Sequence, residues 1–564
     1  MWLRKLAAVT GVAIASSLQA STLEISFEHL IGDRLVRHDS LRYQNPAGED
    51  YSSTRLSYLV SGFALQALDG EWIATEDNIA WIDSPRSRNR HRLDSIPQNK
   101  YRAVAFYVGV SPKLNHADPA QFPANHPLNP NLNNLHWNWQ GGYIFLALEG
   151  HWRGKERSAV EGYAYHYATD AMYTRVELPI QLDINDTSQI TIGLDLSHIL
   201  DGLSFEKDGA TTHSAQGDPV SIRIQKNLTG AFRILDTGAK LNTPVVGKLQ
   251  PIDLPTKPTA YPINLPRHIP IPELPLDNPI IKERVALGEK LFHDPHLSRD
   301  NSVACVSCHQ DENLSDPHQF STGIDGKVGA RHTMPLFNLA WKKDFTWDGS
   351  ASSLREHALM PIEDHMEMDS THEAVVEKLR AKPEYIIGFK EAFGSGEITP
   401  ANIGLAIENF LLTRLSLDSK IDQIKAGLAE FTPEQARGFE LFFTESEPRL
   451  GKAGADCFHC HGGAMFTDHL FHNNGLPGED LGLYLTTKRD SDRRKFSTPS
   501  LRNISKTAPY MHDGRFQSLE EVIDHYNGSF ERSDTLDPNL AKHPSGLSLS
   551  QADKSALIAF LEAL

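Results

Sequence analysis

Cys305-Val306-Ser307-Cys308-His309 and Cys457-Phe458-His459-Cys460-His461 decide how this chain is read. Cys-x-x-Cys-His is the spacing that attaches haem covalently. Both thiols form thioethers to the porphyrin, and the adjacent His becomes the proximal iron ligand. The chain has 4 cysteines, and the two motifs use all of them. A redox Cys-x-x-Cys does not require a following His in both copies, and a zinc site would need ligands that no spare Cys supplies. Cys305, Cys308, Cys457 and Cys460 are therefore read as attachment points for two covalent haem c groups. His309 and His461 are read as their iron ligands.

Around these motifs the hydrophobic period is helical. The spacing predicts helices over 281–292, 371–379, 401–412 and 432–443, the first leading into the first motif. Thr432-Pro433-Glu434-Gln435 is a capping box with proline at the first helical position. Ser518-Leu-Glu-Glu521 and Ser550-Gln-Ala-Asp553 start two further helices in the same way. The expected architecture is a mainly α di-haem cytochrome c of two lobes, one haem each, over 279–430 and 431–564.

Upstream the text changes. Between 21 and 240, β-branched and aromatic runs such as Arg102–Val110, Tyr143–Leu148, Gly162–Tyr167 and Arg175–Ile184 are bounded by Gly, Pro, Asn and Asp. Short strands separated by turn signals predict an all-β sandwich, and the whole chain is then multidomain. Residues 241–278 hold prolines at 244, 251, 255, 258, 262, 266, 270, 272 and 275, too dense for a helix or a central strand. That stretch is expected to be an extended, semi-rigid linker.

Residues 1–20 read as a secretory signal peptide: Arg4 and Lys5, an apolar run from Leu6 to about Leu18, then Gln19-Ala20. The run is short for a membrane span, and no later segment is long and apolar enough to be one. A periplasmic location is expected. The formal net charge of −17 over 564 residues argues against nucleic acid or an anionic membrane surface as partner.

Longer patterns carry a family likeness. Phe345-Thr346-Trp347-Asp348-Gly349, Leu354-Arg-Glu-His357, Pro361 and Glu367 resemble the bacterial di-haem cytochrome c peroxidase and MauG family. So do Thr498-Pro-Ser-Leu-Arg-Asn503 and Thr507-Ala-Pro-Tyr-Met-His-Asp-Gly514. The resemblance spans 279–564. It implies that the His309 haem is the peroxide site, that Glu367 is its distal acid/base, and that Pro361 lines the distal face. It implies too that Trp347 lies between the haems as a station for hole transfer. A buried carboxyl beside iron suits the acid/base role because burial raises its pKa. His357 stands where the family usually has Gln, and could serve as an acid/base group or as a resting-state ligand. On the second haem the family's sixth ligand falls on Tyr526, with Met511 the rival. Leu519, Val522, Ile523 and Tyr526 share one helix face, so Tyr526 points inward. Tyr favours high iron oxidation states and Met the reduced form, so Tyr526 tilts the reading toward the MauG branch. The family's calcium matches Thr507 and Pro509, but its usual Asn aligns with His332, a poor calcium ligand. Calcium is thus left open.

The N-terminal half resembles the MbnP family of secreted copper-binding β proteins. The likeness is carried by Phe27-Glu-His29-Leu-Ile-Gly32, Arg55-Leu-Ser-Tyr58, Leu135-His-Trp137-Asn-Trp139 through Gly150, and Tyr165-His166. MbnP-type proteins are associated with a MauG-like partner, MbnH, that oxidises a Trp to kynurenine beside the copper site. The resemblance therefore implies copper in this domain. Imidazole is a good copper ligand, and His29 and His166, then His136, are the candidates. Trp137 and Trp139 are the candidates for modification, two apart and so on one side of a strand.

These readings combine into a fusion of the two partners. It would use hydrogen peroxide for long-range oxidation of a Trp in its own or a neighbouring MbnP-like domain. Two alternatives remain at this stage. One is a di-haem peroxidase fed by a small cytochrome or cupredoxin donor. The other is a copper-binding or storage protein whose haem half only transfers electrons.

Overall fold

In a computed structural model, residues 20–38, 41–75, 78–137, 142–155, 159–184, 187–237, 254–310, 315–446 and 454–564 are described. Residues 1–19 of the expected signal peptide, the first part of the expected linker and Trp139 lie outside them.

The N-terminal half is β-rich. One 5-stranded sheet runs Phe232–Thr237, Thr187–Asp195, Ala20–Ile31, Arg34–Leu35, with Arg90–Pro97 also paired to Ala20–Ile31. The pairing of Ala20–Ile31 with Thr187–Asp195 is parallel, from Thr22↔Thr187 to Leu30↔Asp195. A larger sheet runs Thr174–Asp183, Lys100–Val108, Arg55–Ala67, Gly142–Arg153, Glu161–Ala168, Thr211–Thr212. Thr174–Asp183 alternates strictly between buried and exposed, as a strand with one solvated face must. Gly142–Arg153 is buried almost throughout. Its second face is covered by the helical half: His151 Nε2 sits 2.6 Å from the Leu536 carbonyl, and Asn539 Nδ2 donates to Glu149 at 3.3 Å. The sandwich also carries the helix Pro219–Ala231, capped by Asp218.

The helical half has two lobes built on one device. Before each haem motif runs a helix, Lys282–Phe292 or Pro433–Phe442, which crosses a later helix, Pro400–Leu412 or Gln551–Leu561. Each crossing is made at a glycine: a Cβ on Gly288 would strike the Ala406 carbonyl, and one on Gly438 the Ala556 carbonyl. The box at Thr432 forms as expected, Gln435 N donating to Thr432 Oγ1 at 3.2 Å and Thr432 N to Gln435 Oε1 at 3.1 Å. Ser518 and Glu521 form the same box.

The first lobe keeps a core of its own, joined by Met465. The core of the second lobe is continuous with that of the N-terminal half. At this junction Gly162 faces the Pro538 carbonyl so closely that no side chain fits. Residues 254–278 form neither helix nor strand, as the prolines dictate, but they are held against the helical half. Trp341 Nε1 donates to the Pro270 carbonyl at 2.8 Å, His268 Nε2 contacts Asp422 at 2.8 Å, and Asn278 Nδ2 donates to Glu408 at 2.7 Å.

Candidate haem and metal centres

Each haem motif opens on a cavity, and the cavities gather the residues that sequence singled out. The first, of about 570 Å³, is lined by Cys305, Cys308, His309, His357, Pro361 and Glu367 among apolar neighbours. His357 and Pro361 lie one turn apart on the helix Leu354–Glu363, so they share a face. Proline has no N–H to donate to the residue four earlier, yet this helix continues only two residues beyond it. Glu367 follows in the loop after that helix, its N–H on the Asp364 carbonyl at 3.0 Å. Glu367 is exposed by surface area while its carboxyl lines the cavity. The surrounding protein still raises its pKa to about 7, by desolvation first and by Asp364 second. Burial, with His309 and Lys342 nearby, lowers the His357 pKa to about 4, so this imidazole is neutral. Burial also lifts the Cys305 thiol to about 12 and the Cys308 thiol to about 11. Such thiols, in no disulfide, suit thioether attachment in an apolar pocket better than hydrolytic or redox thiolate chemistry.

The second cavity, of about 1310 Å³, is lined by Cys457, Cys460, His461, Trp347, Met511 and Tyr526. His461 Nδ1 lies 3.2 Å from the Phe466 carbonyl, which orients the ring and leaves Nε2 for iron. Leu519, Val522, Ile523 and Tyr526 all line this cavity, the face that their spacing predicted. The helix is not uniform, however. Leu519–Asp524 is α and His525–Ser529 is a π turn. Single π turns recur at functional sites. Asn474 Nδ2 contacts both rivals, Tyr526 Oη at 3.3 Å and Met511 Sδ at 3.4 Å. Burial pushes the Tyr526 phenol well above its ordinary range. Trp347 is buried, and its Nε1 donates to the His332 carbonyl at 2.7 Å.

At the expected calcium position one nitrogen of His332 and the Thr507 hydroxyl are otherwise engaged. His332 Nδ1 lies 3.2 Å from the Gln319 carbonyl, and Thr507 Oγ1 donates to the Ile504 carbonyl at 3.3 Å. Pro509 offers only its carbonyl to any ion, as does the Thr507 backbone.

The candidate copper ligands separate. His166 meets His213 and His459, one ring nitrogen from each lying within 4.8 Å of the others. His29 is not among them. It sits on the inward row Leu23, Ile25, Phe27, His29 of its strand, in the other sheet, with Nε2 3.0 Å from Tyr58 Oη. Burial lowers its pKa to about 3, the mark of a neutral core imidazole. His136 also fails to join, because it precedes Trp137 on the strand His136–Trp137 and alternation sends the two to opposite sides. His136 packs edge-on against Tyr143 at 4.6 Å, whereas the Trp137 ring lies 6.4 Å from His166 and 6.0 Å from His213.

Sequence reasoning missed two members of this cluster. His213 continues a parallel pairing, Tyr165↔Thr212, that joins segments far apart in the chain. His459 was read only as a spacer inside the second haem motif. Both rings contact Glu445, at 3.0 and 2.7 Å, while His166 Nε2 contacts Glu149 at 2.9 Å. Arg55 neutralises Glu149 at 2.8 Å, and Lys542 neutralises Glu445.

Comparison with known proteins finds likenesses in both halves of the chain. The sequence profile described as di-haem cytochrome c peroxidase matches residues 282–430, and that of MbnP matches residues 20–215. The methylamine utilization protein MauG of Methylorubrum extorquens is 39% identical over 305 residues, 53% of this chain and 82% of the relative. The cytochrome-c peroxidase IdrP1 of a Pseudomonas species is 34% identical over 351 residues, 54% of this chain and 88% of the relative. A solved MauG-like protein associated with microbial copper homeostasis is 32% identical, with a TM-score of 0.49, covering 54% of this chain and 95% of that one. No helix among the described residues is long and apolar enough to cross a membrane.

Proposed function

Because the chain belongs to the di-haem cytochrome c peroxidase and MauG family and carries an MbnP domain ahead of it, we propose that it is a periplasmic oxidoreductase using hydrogen peroxide to convert its own Trp137 to kynurenine, completing a copper site. The observation that carries this reading is the seat of Trp137. It packs against His166 and His213, which adjoin His459, and His459 lines the cavity of the second haem motif.

Bound haem would be held by Cys305, Cys308 and His309 in one lobe and by Cys457, Cys460 and His461 in the other, and it supplies the iron chemistry that reduces peroxide. Glu367, its pKa raised to about 7, takes the proton from one peroxide oxygen and returns it to the other as water leaves. His357, neutral in the same cavity, hydrogen-bonds the incoming oxygen. Trp347, which lines the second cavity, is the aromatic station between the lobes. Tyr526 would offer a phenol oxygen to a haem held on His461, a donor that favours high iron oxidation states. The balance closes with two molecules of peroxide. The indole gains two oxygens to give N-formylkynurenine while two waters form, and hydrolysis then releases formate and leaves kynurenine.

The test is mass spectrometry of the Trp137 peptide after haem-loaded protein meets a slight excess of peroxide. The reading expects kynurenine at Trp137 in the wild type and intact Trp in Glu367→Gln. Intact Trp137 in the wild type, with peroxide consumed only alongside a donor cytochrome, would instead support the peroxidase reading. One observation favours that second reading: Met511 shares Asn474 with Tyr526. Tyr526→Phe separates the two, since loss of Trp oxidation with peroxide binding intact is expected only if the phenol is the ligand.

A further inference from the structure

The cluster His166, His213, His459 has an origin that neither half of the chain explains alone. His166 lies on the strand Glu161–Ala168 and His213 just after its parallel neighbour, both in the N-terminal half. His459 lies between the two haem-attaching cysteines of the second lobe. The three rings are mutual neighbours, with centroids 4.8 Å apart for His166 and His213, 5.2 Å for His166 and His459, and 6.0 Å for His213 and His459.

Buried carboxylates hold two of the rings, Glu149 on His166 Nε2 at 2.9 Å and Glu445 on His459 Nε2 at 2.7 Å, and the same Glu445 lies 3.0 Å from His213 Nε2. Imidazoles that ligate metal are commonly held in this way through their other nitrogen. A second observation points to a ligand. His166 Nδ1 is fully buried and has no hydrogen-bond partner among the described residues. A buried polar atom left so is costly unless something outside the protein meets it.

We propose that His166, His213 and His459 form one three-imidazole site for a cuprous ion, so that the copper site is shared between the N-terminal domain and the second haem motif. This rests on the copper reading above and specifies it further. Copper(I) fits the donor set: three imidazoles, no thiolate, and low coordination number. It also fits the charge. Arg55 pairs with Glu149, and Lys542 lies between Glu445 and Asp456, which also meets His543, so buried cations already answer most of the carboxylate charge and a monovalent ion adds less uncompensated charge than a divalent one. His459 is fixed on either side by cysteines that the haem holds covalently, so metal binding at its ring is coupled mechanically to that haem.

The test uses peroxide-treated, di-haem protein titrated anaerobically with copper(I) against a chromogenic chelator. Wild type is expected to take up one equivalent and to shift the absorption of the second haem as it does so. His459→Gln preserves both haem attachments and is expected to lose at least the ~100-fold in affinity that outer-shell losses can reach. X-ray absorption of the copper-loaded wild type supplies a readout independent of any variant's folding, with imidazole scattering from three rings expected. Two rings, or His459→Gln binding as tightly as wild type while His166→Gln fails, would overturn the shared site and leave a copper site in the N-terminal domain alone. No copper uptake by the wild type would overturn the copper reading as well.

Discussion

At the scale of single residues, Glu367 has the sharpest consequence. Desolvation, then Asp364, raises its pKa from 4.5 to about 7. It is therefore protonated below that pH and ionised above it. A group that must first accept a proton from peroxide works only when ionised. The rate of the peroxide step should rise with pH through about 7, as stopped-flow absorbance of the haems would show. Glu367→Gln should flatten that profile and slow the step by about 10²–10⁴-fold. Asp364→Asn should move the midpoint down while leaving most of the elevation, because burial is the larger cause. A midpoint unmoved by either change would remove Glu367 from the proton path. Trp137→Phe is the complementary case. It should abolish the oxidised peptide and leave peroxide binding at the first haem unchanged.

At the scale of elements, the glycine crossings decide whether each lobe closes on its motif. Gly438→Ala places a methyl against the Ala556 carbonyl, and the helices must separate. Overpacking of this kind costs about 1–3 kcal/mol, to be read as a lowered denaturation midpoint with unchanged slope. The capped helices were readable from sequence because a Thr or Ser with its partner three residues on is local information. Leu354–Glu363 was not singled out, since Pro361 reads as a breaker; here it falls so near the end that little of the hydrogen-bond ladder is lost. The π turn His525–Ser529 was equally unreadable, although the inward face it completes was correct from periodicity alone. Strand alternation explains a further miss. Placing His136 and Trp137 on opposite sides needs the strand to include both residues, which the surrounding Asn-rich text does not announce.

At the scale of the whole molecule, the two haem cavities were legible because a covalent motif names its own residues. The histidine cluster was legible only at His166. Its other members come from a long-range parallel pairing and from the opposite domain, and no window of sequence contains either relation. The junction that creates the cluster also holds a buried charge. Burial opposes protonation of His472, but Asp468 and Asp537, at 2.7 and 2.5 Å, outweigh it and raise its pKa from 6.5 to about 10. A raised folded-state pKa contributes stability that is complete below pH 6.5 and is lost as pH rises through about 10. His472→Asn removes the cation and leaves two buried carboxylates. It should destabilise by about 3–5 kcal/mol near neutral pH. Thermal unfolding of both proteins across pH would check this, and curves that stay parallel up to pH 10 would show that His472 is not the titrating group.

Gly162, seated on the Pro538 carbonyl, has a kinetic meaning as well. An oxidase that must find a separate substrate works at a rate that depends on encounter. If Trp137 is the target, it is packed beside the oxidising half before any peroxide arrives, and the search has already been completed by folding. Maturation should then be first order in protein, with the same half-time in a dilute sample as in a concentrated one. Each molecule would carry out the reaction on itself once, and a preparation's capacity for it would be counted in chains rather than in turnovers.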